Sequence, residues 1–309
     1  MHMTTTRRTA LAIGAGAALA AALPAGTAHA TGARGGAGAG AGTGAVVPAL
    51  RALEREYGAR LGVYAWDTAT GRTAAYGADA LFPQCSLFKT LAAAAVMRRF
   101  DRDGEYLAKR IHYTQADVTR AGGGEITRRE ENIAAGLTVA ELCSAAIAHS
   151  DNTAGNLLLE ELGGPTAITS FCRSLGDPVT RLDRWEPELN SAEPWVSTDT
   201  TSPRAIARTY ARLVLGDALR PRHRELLTGW LLGNTTSRDR LRAGLPADWA
   251  VADKTGAGSY AVNNNVGIAW PPGRPPVVIA VLSTKPEAAA QREDSLVARA
   301  AGLAVRKSA

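Results

Sequence analysis

Cysteine is scarce in this chain, and so is any spacing of residues suited to a metal. The three cysteines, Cys85, Cys143 and Cys172, are an odd number without a Cys-x-x-Cys pair, which excludes a disulfide scaffold. Five histidines, two of them among the first 30 residues, show no His-Glu-x-x-His or comparable spacing, so neither a metal site nor a cofactor is expected. Long apolar runs are missing too: the stretch 9–23 is rich in glycine and alanine and falls short of the roughly 20 residues a membrane span needs. Basic residues are scattered among acids, with no stripe interleaved with aromatics, so nucleic acid is not an expected partner. The formal charge of +6 drops to about +4 without Arg7 and Arg8, a mild excess that favours at most a small anionic ligand.

What is present begins with an export signal. Arg7 and Arg8 precede the apolar run, and residues 1–30 end in Ala28-His29-Ala30, a small-x-small cleavage pattern. The paired arginines suit the twin-arginine route, so a secreted, extracellular or cell-envelope protein is expected. Residues 31–44 are almost entirely Gly, Ala and Thr and cannot bury enough surface to order themselves, which reads as a flexible tether. Roughly 265 residues from Ala45 onward remain for one large domain or two intertwined ones, and a hydrophobic content of 46% is ample for a core.

Val47, Leu50, Leu53 and Tyr57 recur at helical spacing, and the stretches 60–68 and 72–77 flank a glycine-containing turn as a strand pair would. From 81 to about 230 the pattern is helical, with Thr138 and Glu141 forming a capping-box signature. Strands return at 249–257, 265–270 and 277–283, before a last amphipathic helix over 287–305. Strands at both ends with helices between them predict an α+β fold. Its antiparallel sheet, flanked by N- and C-terminal helices, comes from 45–79 and 232–309, and an all-helical part comes from 80–231. The groove between the two parts is the natural binding site.

Four short motifs carry chemistry. Ser86 and Lys89 are i and i+3 at the first turn of an apolar helix, where free N–H groups and the helix dipole favour developing negative charge on a hydroxyl or an adjacent oxyanion. Taken alone, the pair also reads as an N-cap serine with a snorkelling lysine. Ser150-Asp151-Asn152 lies between two helices, where such residues cap and turn, yet it offers a proton-relaying hydroxyl and an amide for a ligand carbonyl. In 251–258 a strand ends in glycines, which alone also reads as a strand-to-turn junction with an exposed lysine; its edge can pair with a ligand, Lys254 can offer charge to a carboxylate, and the N–H of Ala257 can supply an oxyanion donor. In 181–190, Trp185-Glu186-Pro187 is poor helix and poor strand, and the aperiodic run to Asp199 has the character of a functional loop, with Arg184 and Asp199 bridging its ends. Glu186-Pro187 is an X-Pro bond that can be cis, and Glu186 and Asn190 can share a water.

In the order Ser-x-x-Lys, Ser-Asp-Asn, Glu-x-x-x-Asn, Lys-Thr-Gly, the chain resembles the class A serine β-lactamases from about Ala45 to Ala309. "SDNTAGNLLL", "GGPTAI" and "DRWEPELN" carry the likeness beyond the motifs. The resemblance implies a monomeric hydrolase with a small-molecule β-lactam as substrate. Ser86 would be the nucleophile and the N–H groups of Ser86 and Ala257 the oxyanion hole. Lys89, or Glu186 through water, would take the serine proton, and Glu186 with Asn190 would activate the water that releases the product. Ser150, assisted by Lys254, would pass a proton to the leaving nitrogen. Asn152, Thr255, Gly256 and Ala257 would hold the substrate.

Departures bear on the substrate. Many relatives place an arginine just past the Lys-Thr-Gly strand, where this chain has Asn263; Arg240 resembles the position at which a subset supplies that guanidinium instead. The groove wall at 120–132 is glycine-rich where an aromatic is usual, and the loop's far end reads "PWVSTDTT". Cys85 has Gly258, and Cys143 has Ala93, where a partner cysteine occurs in some relatives. Penicillins are the expected substrates, with some cephalosporins. A D,D-peptidase or transpeptidase, disfavoured by Glu186 and Asn190, is the rival enzyme, and a catalytically silent β-lactam sensor on this fold the rival binding protein.

Overall fold

The computed structural model describes residues 43–308, so the expected export signal and most of the tether lie outside the described residues. The first helix, Thr43–Glu56, starts two residues inside the stretch assigned to the tether. Composition misjudged that boundary because packing decides it: Val46, Leu50 and Leu53 bury against the sheet and draw the helix back past the glycines.

Five antiparallel strands make the sheet, in the order Thr73–Tyr76, Arg60–Asp67, Val277–Thr284, Asn263–Trp270, Ala250–Ala257. The strand nearest the C-terminus is therefore central, pairing Val63 with Val281 on one side and Asn265 with Val281 on the other. Its eight residues are all buried, because successive side chains point to opposite faces and both faces are covered. Val277, Ile279 and Val281 meet the first helix and the last, Asp294–Ser308; Val278, Ala280 and Leu282 meet the helical part. The last helix begins at Asp294 and not at 287, since the preceding segment is tied down in another shape by the Tyr260 N–H bond to the Ala288 carbonyl.

At the centre of the helical part lies Phe88–Phe100, in which ten consecutive residues from Phe88 to Met97 are buried. Such a helix is apolar all round because it is enclosed all round. Helices Val139–Ala148, Asn152–Leu162, Thr166–Ser174 and Pro221–Leu232 surround it, and the run Ala92–Ala95 lets them approach closely. The capping box expected at Thr138 is present, with Glu141 N–H on Thr138 Oγ1 and Thr138 N–H on the Glu141 carboxylate. Among the described residues no helix is long and apolar enough to cross a membrane, and no group of His, Cys, Asp and Glu is arranged to hold a metal ion.

Candidate active site

Ser86 does not open an α-helix. It sits in a 3₁₀ turn, Cys85–Leu87, that feeds the helix starting at Phe88. No side chain caps that turn, so the Ser86 hydroxyl is left for other work. Cys85 just before it has φ of 46°, a left-handed conformation uncommon for a residue with a Cβ. Strain of this kind is held by its surroundings, and here a buried strand end lies against the turn. A Cβ on Gly256 would stand 2.7 Å from the Gln84 carbonyl, and one on Gly258 2.9 Å from Cys85 Sγ. Ala257, between those glycines, is thereby set beside Ser86.

Lys89 reaches back from the first α-helical turn. Its Nζ donates to Ser86 Oγ at 2.9 Å, to the Ser150 carbonyl at 2.7 Å and to Asn152 Oδ1 at 2.7 Å, and faces Glu186 Oε1 at 3.0 Å. Ser86 Oγ in turn donates to Glu186 Oε1 at 3.3 Å. The snorkelling alternative for Lys89 is overturned, because its side chain is fully buried.

Ser150 is also left-handed, with φ of 56°. That bend sends its carbonyl to Lys89 while its hydroxyl accepts from Lys254 Nζ at 2.9 Å. Asp151 is spent on structure: it caps the next helix at Ala154 N–H and accepts from Ile126 N–H, Thr127 N–H and the Thr127 hydroxyl. Asn152 gives its carbonyl to Lys89 and an N–H to the Ala121 carbonyl at 3.2 Å. Lys254 is buried in the strand. Burial, and then the positive charge of Lys89, holds its ammonium well below the ordinary lysine value.

The loop from 181 to 199 is tied at its base by Arg184 Nε on Asp199 Oδ2 at 2.6 Å, while Asp199 Oδ1 accepts the N–H groups of Asp183 and Arg184. Glu186-Pro187 is cis. Glu186 is held twice. Asn190 Nδ2 donates to its carboxylate, and Asn156 grips its backbone by a reciprocal pair, Glu186 N–H to Asn156 Oδ1 at 3.0 Å and Asn156 Nδ2 to the Glu186 carbonyl at 2.9 Å. Asn156 was missed from sequence, although it lies four residues after Asn152 and so on the same helical face. Asn190 Oδ1 is buried with no hydrogen-bond partner among the described residues.

At the far end of the strand, Thr255 exchanges a hydroxyl contact with Thr236, another residue the sequence reading did not single out. Arg240 follows closely: its N–H bonds the Ser237 carbonyl, and its Nε bonds Asp294 Oδ1 at 2.8 Å. Asn263 Nδ2 donates to the same oxygen at 3.0 Å. The two positions from which relatives are expected to supply a guanidinium thus converge on one carboxylate. Arg240 Nη1 is buried without a hydrogen-bond partner among the described residues, a donor suited to an anionic group. The three cysteines are free and buried, and burial, then the charge of Glu186, pushes the Cys85 thiol up; it is inert as a nucleophile.

A buried serine within reach of a carboxylate and a lysine, with a second serine–lysine pair, Ser150 and Lys254, beside them, is equipped for acyl transfer. Comparison with known proteins agrees. A model described as the β-lactamase enzyme family matches residues 45–307. A β-lactamase of Streptomyces albus G is 63% identical over 306 residues, covering 97% of this chain and 98% of that one. A β-lactamase of Streptomyces fradiae is 61% identical, covering 96% and 95%. The solved Streptomyces albus G β-lactamase superposes with a TM-score of 0.83 at 64% identity, over 84% of this chain and 97% of that one. A reconstructed class A β-lactamase, of the last common ancestor of Gram-negative bacteria, superposes with 0.80 at 51% identity, over 85% and 98%.

Proposed function

The chain belongs to the class A β-lactamases, hydrolases whose activity confers β-lactam resistance, and from that premise we propose that it is exported and opens penicillins, with some cephalosporins, through an acyl-enzyme on Ser86. The observation that carries this reading is Glu186. Its carboxylate lies 3.3 Å from the Ser86 hydroxyl, buried, and fixed by Asn190, Lys89 and the Asn156 clamp.

In acylation Ser86 Oγ attacks the lactam carbonyl, whose oxygen takes its negative charge toward the N–H groups of Ser86 and Ala257. Lys89 Nζ and Glu186 Oε1 both stand at Ser86 Oγ, so either can take the serine proton, and Lys89 serves where Glu186 is absent or displaced. As the carbon–nitrogen bond breaks, the Ser150 hydroxyl gives its proton to the nitrogen and is replenished from Lys254. Asn152 and the strand 250–257 hold the acyl side, while Thr255 and Arg240 hold the carboxylate.

In release, the serine proton first makes good the one Lys254 gave up, leaving Glu186 a free carboxylate. A water seated between Glu186 and Asn190 then attacks the ester, passing its proton to Glu186, which returns it to Ser86 Oγ as the ester bond breaks. The unpartnered Asn190 Oδ1 supports this placement, since it needs a donor and Asn190 Nδ2 is already used. Steady hydrolysis of a chromogenic cephalosporin by purified protein tests the reading; a D,D-peptidase or a sensor would stop after one equivalent.

A further inference from the structure

The loop that carries Glu186 and Asn190 is fastened on its far side to the turn that leaves the active strand, by contacts none of the four motifs predicts. Ser259 N–H donates to the Asn190 carbonyl at 2.9 Å. A Cβ on Gly258 would lie 2.8 Å from that same carbonyl and 3.1 Å from Ala192 Cβ, so the two backbones touch. Beyond them Trp195 meets Tyr260 edge to face, with ring centroids 5.2 Å apart and an interplanar angle of 82°.

The two rings differ in what holds them. Tyr260 sits on a rigid mount: its N–H bonds the Ala288 carbonyl at 3.0 Å, and its carbonyl accepts Lys285 N–H at 2.7 Å and the Thr284 hydroxyl at 3.1 Å. Tyr260 and Ala261 both have positive φ, 55° and 51°, a shape such tethers maintain. Trp195 is 70% exposed and has no core to belong to. An indole left that open contributes through the ring it touches.

We propose that Trp195 and Tyr260 are a positioning pair: their contact clasps the loop to the turn, and through the Asn190 backbone it sets the placement of the Asn190 amide on Glu186, and so the rate of acyl-enzyme release. The proposal rests on Glu186 and Asn190 acting in release. Acylation depends on the Ser86 turn, which the backbone of Gly256 and Gly258 meets without help from either ring, and on Lys89, which the Phe88–Phe100 helix holds. Loss of the clasp therefore slows release selectively.

The test uses purified Trp195→Ala, Tyr260→Ala, the double variant and Trp195→Phe. An exposed side chain can be removed without opening the core, so Trp195→Ala folds. Hydrogen exchange at the Ser259 amide and across 186–192 should quicken about 3- to 10-fold in Trp195→Ala, the worth of one aromatic pair. Pre-steady-state kinetics should show acylation within about 2-fold of the parent and release slowed by a similar 3- to 10-fold, visible as a burst. The double variant should be no worse than either single one, and Trp195→Phe should restore both readouts. Unchanged exchange, or exchange that rises while acylation and release stay equal to the parent or fall together, overturns the proposal. Failure of Glu186 itself is read separately, from Glu186→Ala: full turnover there would remove Glu186 from release, while exchange and the burst in Trp195→Ala still report on the clasp.

Discussion

Lys89 Nζ stands 3.0 Å from Glu186 Oε1, and neither side chain has any exposure to solvent. Two opposite charges taken wholly out of water are costly unless each finds further partners, and removing one leaves the other stranded. Here Lys89 has three more oxygens and Glu186 has Asn190 and Ser86. The pair thus belongs to the candidate site as well as to the packing, which shapes what substitutions should do.

Ser86→Ala should abolish acylation while leaving the Lys89–Glu186 contact in place. Incubation with excess penicillin followed by intact-mass measurement should show unmodified protein. Retained turnover would mean that another residue is the nucleophile.

Glu186→Ala should acylate and then stall, with release slowed by about 10² to 10⁴, the usual worth of a positioned base. The protein should gain the mass of one opened penicillin and hold it for minutes to hours. Release at the parental rate would remove Glu186 from that step. Because the substitution also strands Lys89, a lower melting temperature is expected alongside.

Lys254 should give the enzyme an alkaline limit. Burial and the charge of Lys89 lower its ionisation, so its positive charge disappears as pH rises through a value below that of an ordinary lysine. With the charge gone, the group proposed to replenish the Ser150 proton is neutral, so kcat/KM should fall on that side. Lys254→Arg, which keeps its charge, should move the limb to higher pH in a kcat/KM profile. A limb that stays in place would assign it to another group.

Arg240→Ala should act mainly on affinity. A charge-assisted bond to a substrate carboxylate is worth about 10- to 100-fold in KM, and kcat should change far less. Substrates whose carboxylate is esterified should lose the distinction between parent and variant. An equal KM for the acid in both proteins would point to a different cation.

Arg184→Ala should loosen the base of the loop. Asp199 is buried and keeps two backbone N–H donors, while Arg184 is about a third exposed. The loss should therefore be moderate, about 1–2 kcal/mol by chemical denaturation, with release slowed more than acylation. Equal effects on both steps would show that the tie serves the fold alone.

Much of this site was legible because its chemistry is local. Ser86 and Lys89 share one turn, Ser150 and Asn152 flank a cap, Glu186 and Asn190 share one loop, and each short run carries its own signal. The sheet was legible because alternating and continuous apolar runs mark strands regardless of partner. What stayed hidden depends on parts far apart in the chain. The 3₁₀ geometry at Ser86 is shaped by the strand end that carries Gly256 and Gly258. The grip of Asn156 on Glu186 spans 30 residues, and the meeting of Arg240 and Asn263 on Asp294 needs three separate elements. Helix ends were misplaced at Thr43 and Asp294 for the same reason: packing and a distant carbonyl set them.

The central place of the strand Val277–Thr284 also governs when the protein becomes reactive. The strand bearing Lys254 and Ala257 joins the opening hairpin only through it. A growing chain still lacking residue 277 already holds every side chain of the motifs, yet the sheet that backs the strand 250–257 is missing its central member. That sheet cannot close until synthesis is nearly complete, so a product truncated before 277 should be chemically silent wherever it is released.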